Sequence, residues 1–248
     1  MVKPFAHADL LKLTRFSTPT ISNALELYES HRGEKSCNRD ETRDFTPHLG
    51  PMVGYAVTAD YCASRKAQRM KDRTIDLLRL IENSPKPCIV VIRDVDAPDG
   101  IVGAPWGECF SSICRALGAV GTITDGAIRD YSEMVRADFH ALARRLCVSH
   151  GCGRMVAVGK PVKVFGTTIR SGEILHADQH GFIIIPKECV PTLADTAVGL
   201  DRLEVEHIIS PAVAGRTSGY DVKKFLESRD NFVRAMARQH RRHELGSR

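Results

Sequence analysis

Aromatic residues are scarce in this chain of 248 residues: they make up 6% of it, and there is one tryptophan. Because 43% of the residues are apolar, the core must be built mainly from aliphatic side chains, as is common in proteins with interleaved strands and helices. No apolar run approaches the length that crosses a membrane, and no secretory hydrophobic segment opens the chain. The sequence therefore predicts a cytoplasmic α/β protein that does not engage a membrane.

Several nucleotide-binding and hydrolase motifs are also missing. The chain contains no G-x-x-x-x-G-K-[ST] loop for nucleoside triphosphates and no G-x-S-x-G turn for a serine nucleophile. The spacing of Gly103 and Gly107 does not match a dinucleotide-binding loop. These absences argue against the nucleotide-dependent enzymes and against the α/β-hydrolases.

The eight cysteines are scattered, and no two of them form a C-x-x-C pair. This pattern favours a reduced protein and argues against a structural zinc site. Cys109 lies in the central stretch described below. We expect it to be a small wall residue that contributes its backbone N–H, and the alternative of a nucleophilic thiol stays open.

The net charge of +5 is modest, and basic residues are concentrated near the C-terminus. We predict one α/β domain over residues 1–228 and a basic tail over residues 229–248. The tail is interpreted as a solvated helix end, with a nucleic-acid or other anionic partner as the alternative. A nucleic-acid partner is the less favoured of the two.

The most informative stretch covers residues 103–130. Glycines and a proline predict a loop over residues 103–107, and the apolar spacing that follows predicts a helix over 108–117. The β-branched run 119–124 is typical of a buried strand, and Asp125-Gly126 is typical of a turn. Arg129-Asp130 comes next, so an acid at the helix start and an Arg-Asp pair are expected to meet at the ends of packed elements.

These residue types suit an anionic substrate. Free N–H groups at the start of the helix can hold a carboxylate, and the helix dipole favours its charge. The planar guanidinium of Arg129 can bind a carboxylate or an enolate. Asp130 and Glu108 offer the hard oxygen ligands that Mg²⁺ or Mn²⁺ prefers, and so few protein ligands leave positions for water and substrate. A 2-oxo acid that chelates the metal fits this set.

The motif W-G-E…G-A-V-G-T-I-T-D-G-A-I-R-D, with twenty residues between Glu108 and Arg129-Asp130, resembles the RraA-like family. That family includes the class II 4-hydroxy-4-methyl-2-oxoglutarate aldolases, which release pyruvate, and a regulator that inhibits ribonuclease E. The aldolase pattern is Asp-x20-Arg-Asp, so this chain departs from it at Glu108. The charge is kept, and the carboxylate reaches one methylene further.

The resemblance extends over roughly residues 15–228. Residues 20–25 are similar to the family's N-terminal helix signature. Residues 171–178 and 181–186 are similar to its late strand and turn, and residues 215–218 to its C-terminal helix junction. The fold implied by the resemblance is a swivelling β/β/α sandwich that assembles as a trimer or a dimer of trimers, with the site between subunits.

The resemblance also implies roles for individual residues. Asp130 is expected to ligate the metal, and Arg129 to bind the substrate carboxylate and enolate. Our own hypothesis adds that Glu108 orients a water that removes a proton. The residues expected to line the substrate site, largely through backbone amides, are Gly107, Glu108, Cys109 and Phe110.

The implied activity is a divalent-metal-dependent lyase that cleaves 4-hydroxy-2-oxo acids to pyruvate, with decarboxylation of oxaloacetate by the same route. No Schiff-base lysine lies in the motif. Two alternatives stay open: a regulator that binds a ribonuclease without doing chemistry, and a metal-dependent dehydratase acting on a sugar acid.

Two further groups of residues have competing interpretations. His176, Asp178 and His180 alternate as metal ligands on a strand would, although Asp178 also suits a hairpin turn. Asp94 and Asp96 follow a predicted buried strand and are either outer partners of the metal or a cap and a turn. In both groups the structural interpretation is favoured.

Flanking segments add to the expected α/β pattern. Residues 52–59 and 88–92 are predicted to be strands, the second one buried on both faces. Residues 64–83 are predicted to form one amphipathic helix. Its buried side is expected to hold Met70, Ile75, Leu77, Leu78 and Ile81.

Overall fold

The structure is a computed structural model that describes residues 4–28 and 36–246, with side chains as far as Ala237. None of the helices in these ranges combines the length and the apolar character that crossing a bilayer needs. The described strands are β1 (Arg43–Asp44), β2 (Met52–Cys62), β3 (Cys88–Asp94), β4 (Ala119–Ile128), β5 (His140–Leu146), β6 (Arg154–Val158), β7 (Val162–Val164), β8 (Thr167–Ile169), β9 (Ile174–Asp178) and β10 (Gly181–Ile185).

The main sheet has eight strands, and seven of them follow the order β1-β5-β4-β3-β2-β9-β10 while β6 pairs with β2. Strands β2, β3, β4 and β5 pair in parallel, so their carboxyl ends lie along one edge of the sheet. Strands β9 and β10 extend the sheet in antiparallel fashion, and β7 and β8 form a separate hairpin. The parallel centre is the part that carries the predicted site.

Helices alternate with the strands and then close the chain. They are α1 (His7–Leu13), α2 (Thr18–Leu25), α3 (Thr74–Asn83), α4 (Glu108–Ala116), α5 (Tyr131–Arg136), α6 (Val190–Glu204), α7 (Ser210–Ser218) and α8 (Val222–Gly246), with a π-helical segment at Val205–Ile209 between α6 and α7. The domain boundary predicted at residue 228 falls within α8.

Side chains on the two faces of the sheet form two separate cores. On the helix face, Val90 and Ile92 of β3 pack in a cluster with Trp106 and with residues of the helices. On the hairpin face, Val91 packs with Phe165 and with residues of β7 and β8. The predicted burial of β3 on both faces is therefore confirmed.

The prediction of one helix over residues 64–83 is wrong in its first half. Residues 65–69 form a short 3-10 helix, and Met70 is extended. The carboxylate of Asp72 then accepts hydrogen bonds from the backbone N–H of Thr74 (2.9 Å) and from its hydroxyl (2.7 Å). This local turn starts α3 at Thr74, because it satisfies an N–H that a continuous helix would have bonded to its own backbone.

The late helix start also changes which side chains are buried. Leu77 and Ile81 are fully buried, as predicted. Met70 and Ile75 are 40% and 60% exposed, so their predicted burial is wrong. The cause is the helix start, because α3 begins at Thr74, ten residues after the predicted start.

Asp125-Gly126 was predicted to be a turn, and this is wrong as well. Both residues lie inside β4, where the pairing with β5 shifts between Thr124 and Ala127. The hydroxyl of Thr124 accepts a hydrogen bond from the N–H of Gly126 at 3.1 Å. The irregularity is a β-bulge, so the strand continues to Ile128 and Arg129 is the first residue after it.

His176 serves the fold, as the favoured structural interpretation predicted. Its Nδ1 lies 2.9 Å from the hydroxyl of Thr18, and its Nε2 lies 3.1 Å from the carbonyl oxygen of Leu13. Asp178 accepts hydrogen bonds from the N–H groups of Thr18 and His180. Across the described residues, no group of three or more His, Cys, Asp and Glu side chains could hold a metal ion.

Replacing His176 with glutamine is expected to lower the free energy of unfolding at pH 7 by roughly 1–3 kcal/mol. The buried hydroxyl of Thr18 and carbonyl oxygen of Leu13 would each lose a well-aligned hydrogen-bond partner. Burial lowers the pKa of His176 to about 4. The neutral ring therefore stabilises the fold above the unfolded pKa of about 6.5, and that contribution is lost as the pH falls toward 4.

Urea unfolding of the wild type and of His176→Gln at pH 7 and pH 5 measures this difference. The gap in stability between the two proteins should narrow at pH 5. His7→Gln, at an exposed histidine, is the control and should change neither value. A gap that widens on acidification would contradict a neutral His176.

Candidate active site

The loop before α4 is anchored by Trp106. Its indole is fully buried, and the rings of Phe110 and Phe139 each lie 5.0 Å from it, centroid to centroid. On the other side of the loop, a Cβ at Gly103 would come 2.6 Å from the carbonyl carbon of His150. Glycine is therefore needed at 103 for the loop to pack against the backbone at His150.

Gly107 brings the backbone of this loop against the Arg-Asp pair. A Cβ at this position would lie 2.7 Å from Oδ2 of Asp130 and 3.2 Å from Nε of Arg129. Gly107 has φ −167°, which is ordinary extended backbone, so its conformation does not require glycine. A side chain at 107 would instead displace the carboxylate and the guanidinium, because they occupy the volume that its Cβ would take.

Asp130 has a left-handed backbone conformation, and its carboxylate bonds to a helix other than its own. Its φ of 52° and ψ of 38° lie in the left-handed region, which typically costs about 1–3 kcal/mol for a residue other than glycine. Asp130 occupies the N-cap position of α5, yet its side chain does not cap that helix. Its Oδ2 instead accepts a hydrogen bond of 3.3 Å from the N–H of Glu108, at the start of α4.

Arg129 is held by three contacts. Its backbone N–H donates to the carbonyl oxygen of Trp106 at 3.2 Å. Its Nη1 lies 3.5 Å from the carbonyl oxygen of Val148, and its Nε lies 3.7 Å from Oδ2 of Asp130. The side chains of Arg129 and Asp130 are 36% and 39% exposed, so both still reach the solvent.

The residues predicted for the site come together to different degrees. Gly107, Arg129 and Asp130 are in direct contact, and Glu108 joins them through its backbone N–H. Glu108 and Cys109 are both exposed to solvent. Phe110 is half-buried, and its ring supports Trp106.

Sequence reasoning missed the contribution of Val148. Its side chain is 92% exposed, and only its carbonyl oxygen meets Arg129. Every residue has such a carbonyl, so no side-chain pattern could have pointed to it.

The donor set suits a hard divalent cation with few protein ligands. The hydrogen bond from the N–H of Glu108 and the ion pair with Arg129 both use Oδ2 of the Asp130 carboxylate. Glu108 adds a second carboxylate on the first turn of α4. Mg²⁺ binds in this manner, through one or two carboxylates with several waters and substrate oxygens. The positive charges of Arg129 and of the helix N-terminus make an anionic substrate a natural further ligand.

Comparison with known protein families identifies the chain. The RraA-like family model, described as Aldolase/RraA, matches residues 18–184, which contain the loop, α4 and the Arg-Asp pair. The chain belongs to the RraA-like family. This confirms the family membership that the sequence motif predicted.

This RraA-like chain matches only part of the length of its curated relatives. Protein DlpA of Legionella pneumophila is 24% identical over 168 residues, which is 67% of this chain and 26% of that protein. A Halalkalibacterium halodurans protein, provisionally named a 4-hydroxy-4-methyl-2-oxoglutarate aldolase, is 28% identical over 119 residues, or 47% of this chain and 54% of that protein. The chain thus spans between about a quarter and about half of the curated relatives it matches.

Solved structures share the fold of this RraA-like chain. An uncharacterised protein of Pseudomonas syringae pv. tomato has a TM-score of 0.66 at 19% identity, covering 92% of this chain and 96% of that one. Streptomyces coelicolor RraAS2, described as an unusual member of the RNase ES inhibitor RraA family, has a TM-score of 0.63 at 16% identity, covering 85% and 99%. They confirm the predicted α/β fold of the family.

Proposed function

We propose that this RraA-like protein is a divalent-metal-dependent lyase that cleaves 4-hydroxy-2-oxo acids to pyruvate and decarboxylates oxaloacetate. The observation that supports it most directly is the orientation of Asp130. A strained aspartate that leaves its own helix uncapped and turns to the N-terminus of α4, beside Arg129, is costly for the fold. A protein that only binds a partner has no physical need for that cost.

In the proposal, Arg129 and the N-terminus of α4 hold the negative charge of the substrate. The guanidinium donates to the substrate carboxylate and to the oxygen on which enolate charge develops as the carbon–carbon bond breaks. The free N–H groups of the first turn of α4 bind the carboxylate through the positive end of the helix dipole. Cys109 and Phe110 contribute their amides to this turn.

Glu108 starts the cleavage in this scheme. A water that its carboxylate orients takes the proton of the 4-hydroxyl group. The bond between C3 and C4 then breaks, C4 becomes a carbonyl, and the electron pair remains on the pyruvate fragment. Protonation of that fragment at C3 completes pyruvate.

Asp130 is the residue that would hold Mg²⁺ or Mn²⁺, with water and substrate oxygens as further ligands. When bound, such a cation supplies Lewis-acid polarisation of the 2-keto group. Because Arg129 and Asp130 are both more than one-third exposed, we further propose that a neighbouring subunit of a homotrimer or homohexamer closes the site.

The test is pyruvate release from 4-hydroxy-4-methyl-2-oxoglutarate and from oxaloacetate, assayed in EDTA and after Mg²⁺ or Mn²⁺ is added back. We expect EDTA to abolish release and either cation to restore it, because the lone carboxylate of Asp130 binds the ion weakly enough to be stripped. Unchanged activity in EDTA would remove the metal from the mechanism. No pyruvate from either substrate would refute the lyase and leave the ribonuclease regulator or the dehydratase.

A further inference from the structure

Three polar side chains stand in a row on the hairpin face, at the carboxyl ends of β3, β4 and β5. The register pairs Ile92 with Thr124 and Thr124 with Ala143. The next position on each strand is Arg93, Asp125 and Arg144. Side chains alternate along a strand, so Arg93 and Arg144 continue the face of Val91 and Leu142. Asp125 lies at the β-bulge and lines the same cleft as these two arginines.

The row borders a cleft of about 560 Å³. Lys163 of β7 forms part of its wall, and Asp94 and Pro98 lie at the end of β3 and in the loop after it. Ligands of open α/β sheets commonly bind outside the carboxyl ends of parallel strands, where this cleft lies. Its lining shares no residue with the candidate active site.

The guanidinium of Arg144 is held in place through its Nε and its flat face. Its Nε donates to the backbone carbonyl oxygen of Asp125 at 3.0 Å, and its guanidinium lies over the ring of Phe165 at 5.3 Å from the centroid. These contacts hold the plane of the guanidinium without using its two terminal amino groups. A guanidinium oriented beforehand loses little freedom when an anion binds to those groups.

The other two cationic side chains at the cleft, Arg93 and Lys163, differ in whether a carboxylate neutralises them. Arg93 is held by Asp60 through two bonds, Nε to Oδ1 at 2.9 Å and Nη2 to Oδ2 at 2.7 Å. That ion pair neutralises the charge of Arg93. Lys163 is exposed, and within the described part of the chain neither it nor Arg144 forms an ion pair. These two side chains therefore supply the cationic charge that faces the cleft.

Two carboxyl groups lie beside these cations. Oδ1 of Asp125 accepts a hydrogen bond of 2.8 Å from the N–H of Asp94. Asp94 is 1% exposed, and its Oδ2 has no hydrogen-bond partner among the described residues. Asp125 is half-buried and lines the cleft, so its carboxylate can accept a hydrogen bond from a molecule there. Burial raises the pKa of Asp125 to about 6, and a hydrogen bond from a ligand would favour its ionised form.

We propose that this cleft is a second ligand site, which binds a small anion carrying a carboxylate or phosphate together with a hydroxyl group. The anionic group lies between Arg144 and Lys163, and the hydroxyl donates to Asp125. Neither contact involves Arg129 or Asp130, so the proposal does not depend on the proposed lyase activity.

Calorimetric titration with two matched pairs of probes tests the site. L-malate and succinate differ by one hydroxyl, and glycerol 3-phosphate and n-propyl phosphate differ by two. All four titrations use Arg129→Ala, because that change removes the guanidinium that we propose binds carboxylates at the candidate active site. We expect one hydroxylated probe to bind at least about 5-fold more tightly than its partner, since the partner leaves Asp125 without a donor. The pair that binds identifies the anionic group.

Lys163→Met is expected to weaken binding of that probe, and Asp125→Asn to remove the preference for the hydroxyl. Lys160→Met, at an exposed lysine outside the cleft lining, is the matched control and should bind as before. The proposal is overturned if no probe binds to Arg129→Ala, if the hydroxyl makes no difference, or if Lys163→Met and Lys160→Met bind equally. Failure of the pyruvate assay would leave these results unaffected.

Discussion

Arg129→Ala is expected to lower pyruvate release by roughly 10²–10³-fold, the loss typical of removing one group that stabilises developing negative charge. Among the described residues, Arg129 is the one arginine that pairs with the Asp130 carboxylate, so no other described arginine replaces its guanidinium. The fold should remain, because the backbone hydrogen bond from position 129 to Trp106 does not need the side chain. Steady-state assays of pyruvate release, with unfolding followed in parallel, measure both effects.

Two further variants make this result specific. Arg129→Lys keeps the charge but loses the planar fork, so its activity should fall between those of the wild type and of Arg129→Ala. Arg136→Ala removes an exposed arginine that pairs with Glu133 on α5, and it should be as active as the wild type. Wild-type activity in Arg129→Ala would exclude Arg129 from the reaction.

Gly107→Ala is expected to lower activity by about 10²-fold, because a displacement of about 1 Å at reacting groups can cost that much. The new Cβ would lie 2.7 Å from Oδ2 of Asp130, so the carboxylate must move away from the N–H of Glu108. Stability should change little, since Gly107 has an extended backbone that alanine also adopts and the carboxylate is free to rotate toward solvent. Activity and urea unfolding together separate the two effects.

Ser112→Ala is the control for Gly107→Ala, because it changes an exposed side chain on the same helix. Wild-type activity is expected there. If Gly107→Ala were fully active, the position of the Asp130 carboxylate would be unimportant for turnover. If it instead unfolded the protein, the glycine would serve the fold.

Local patterns were sufficient for the elements that carry the site. The helix predicted over 108–117 matches α4 closely, and the strand predicted over 119–124 matches the first part of β4. Apolar spacing and a glycine after the helix act within one segment, so they could be read from the sequence. Contact between the Arg129-Asp130 pair and the start of α4 also follows from that order of elements.

Features that depend on distant partners could not be predicted in this way. Asp125-Gly126 has the composition of a turn, and the pairing of β4 with β5 makes it a bulge. The left-handed backbone of Asp130 depends on how α5 leaves the sheet. The cleft beside Arg144 requires the register of three strands, which no single segment contains.

The close approach of Gly107 and Asp130 links two positions that lie far apart in the chain. Because the carboxylate fills the volume that a methyl group at 107 would take, each residue limits what the other can be. Across relatives, a side chain at the first position should therefore accompany a residue shorter than aspartate at the second. Members with such an exchange would keep the architecture while losing the carboxylate that we propose holds a cation.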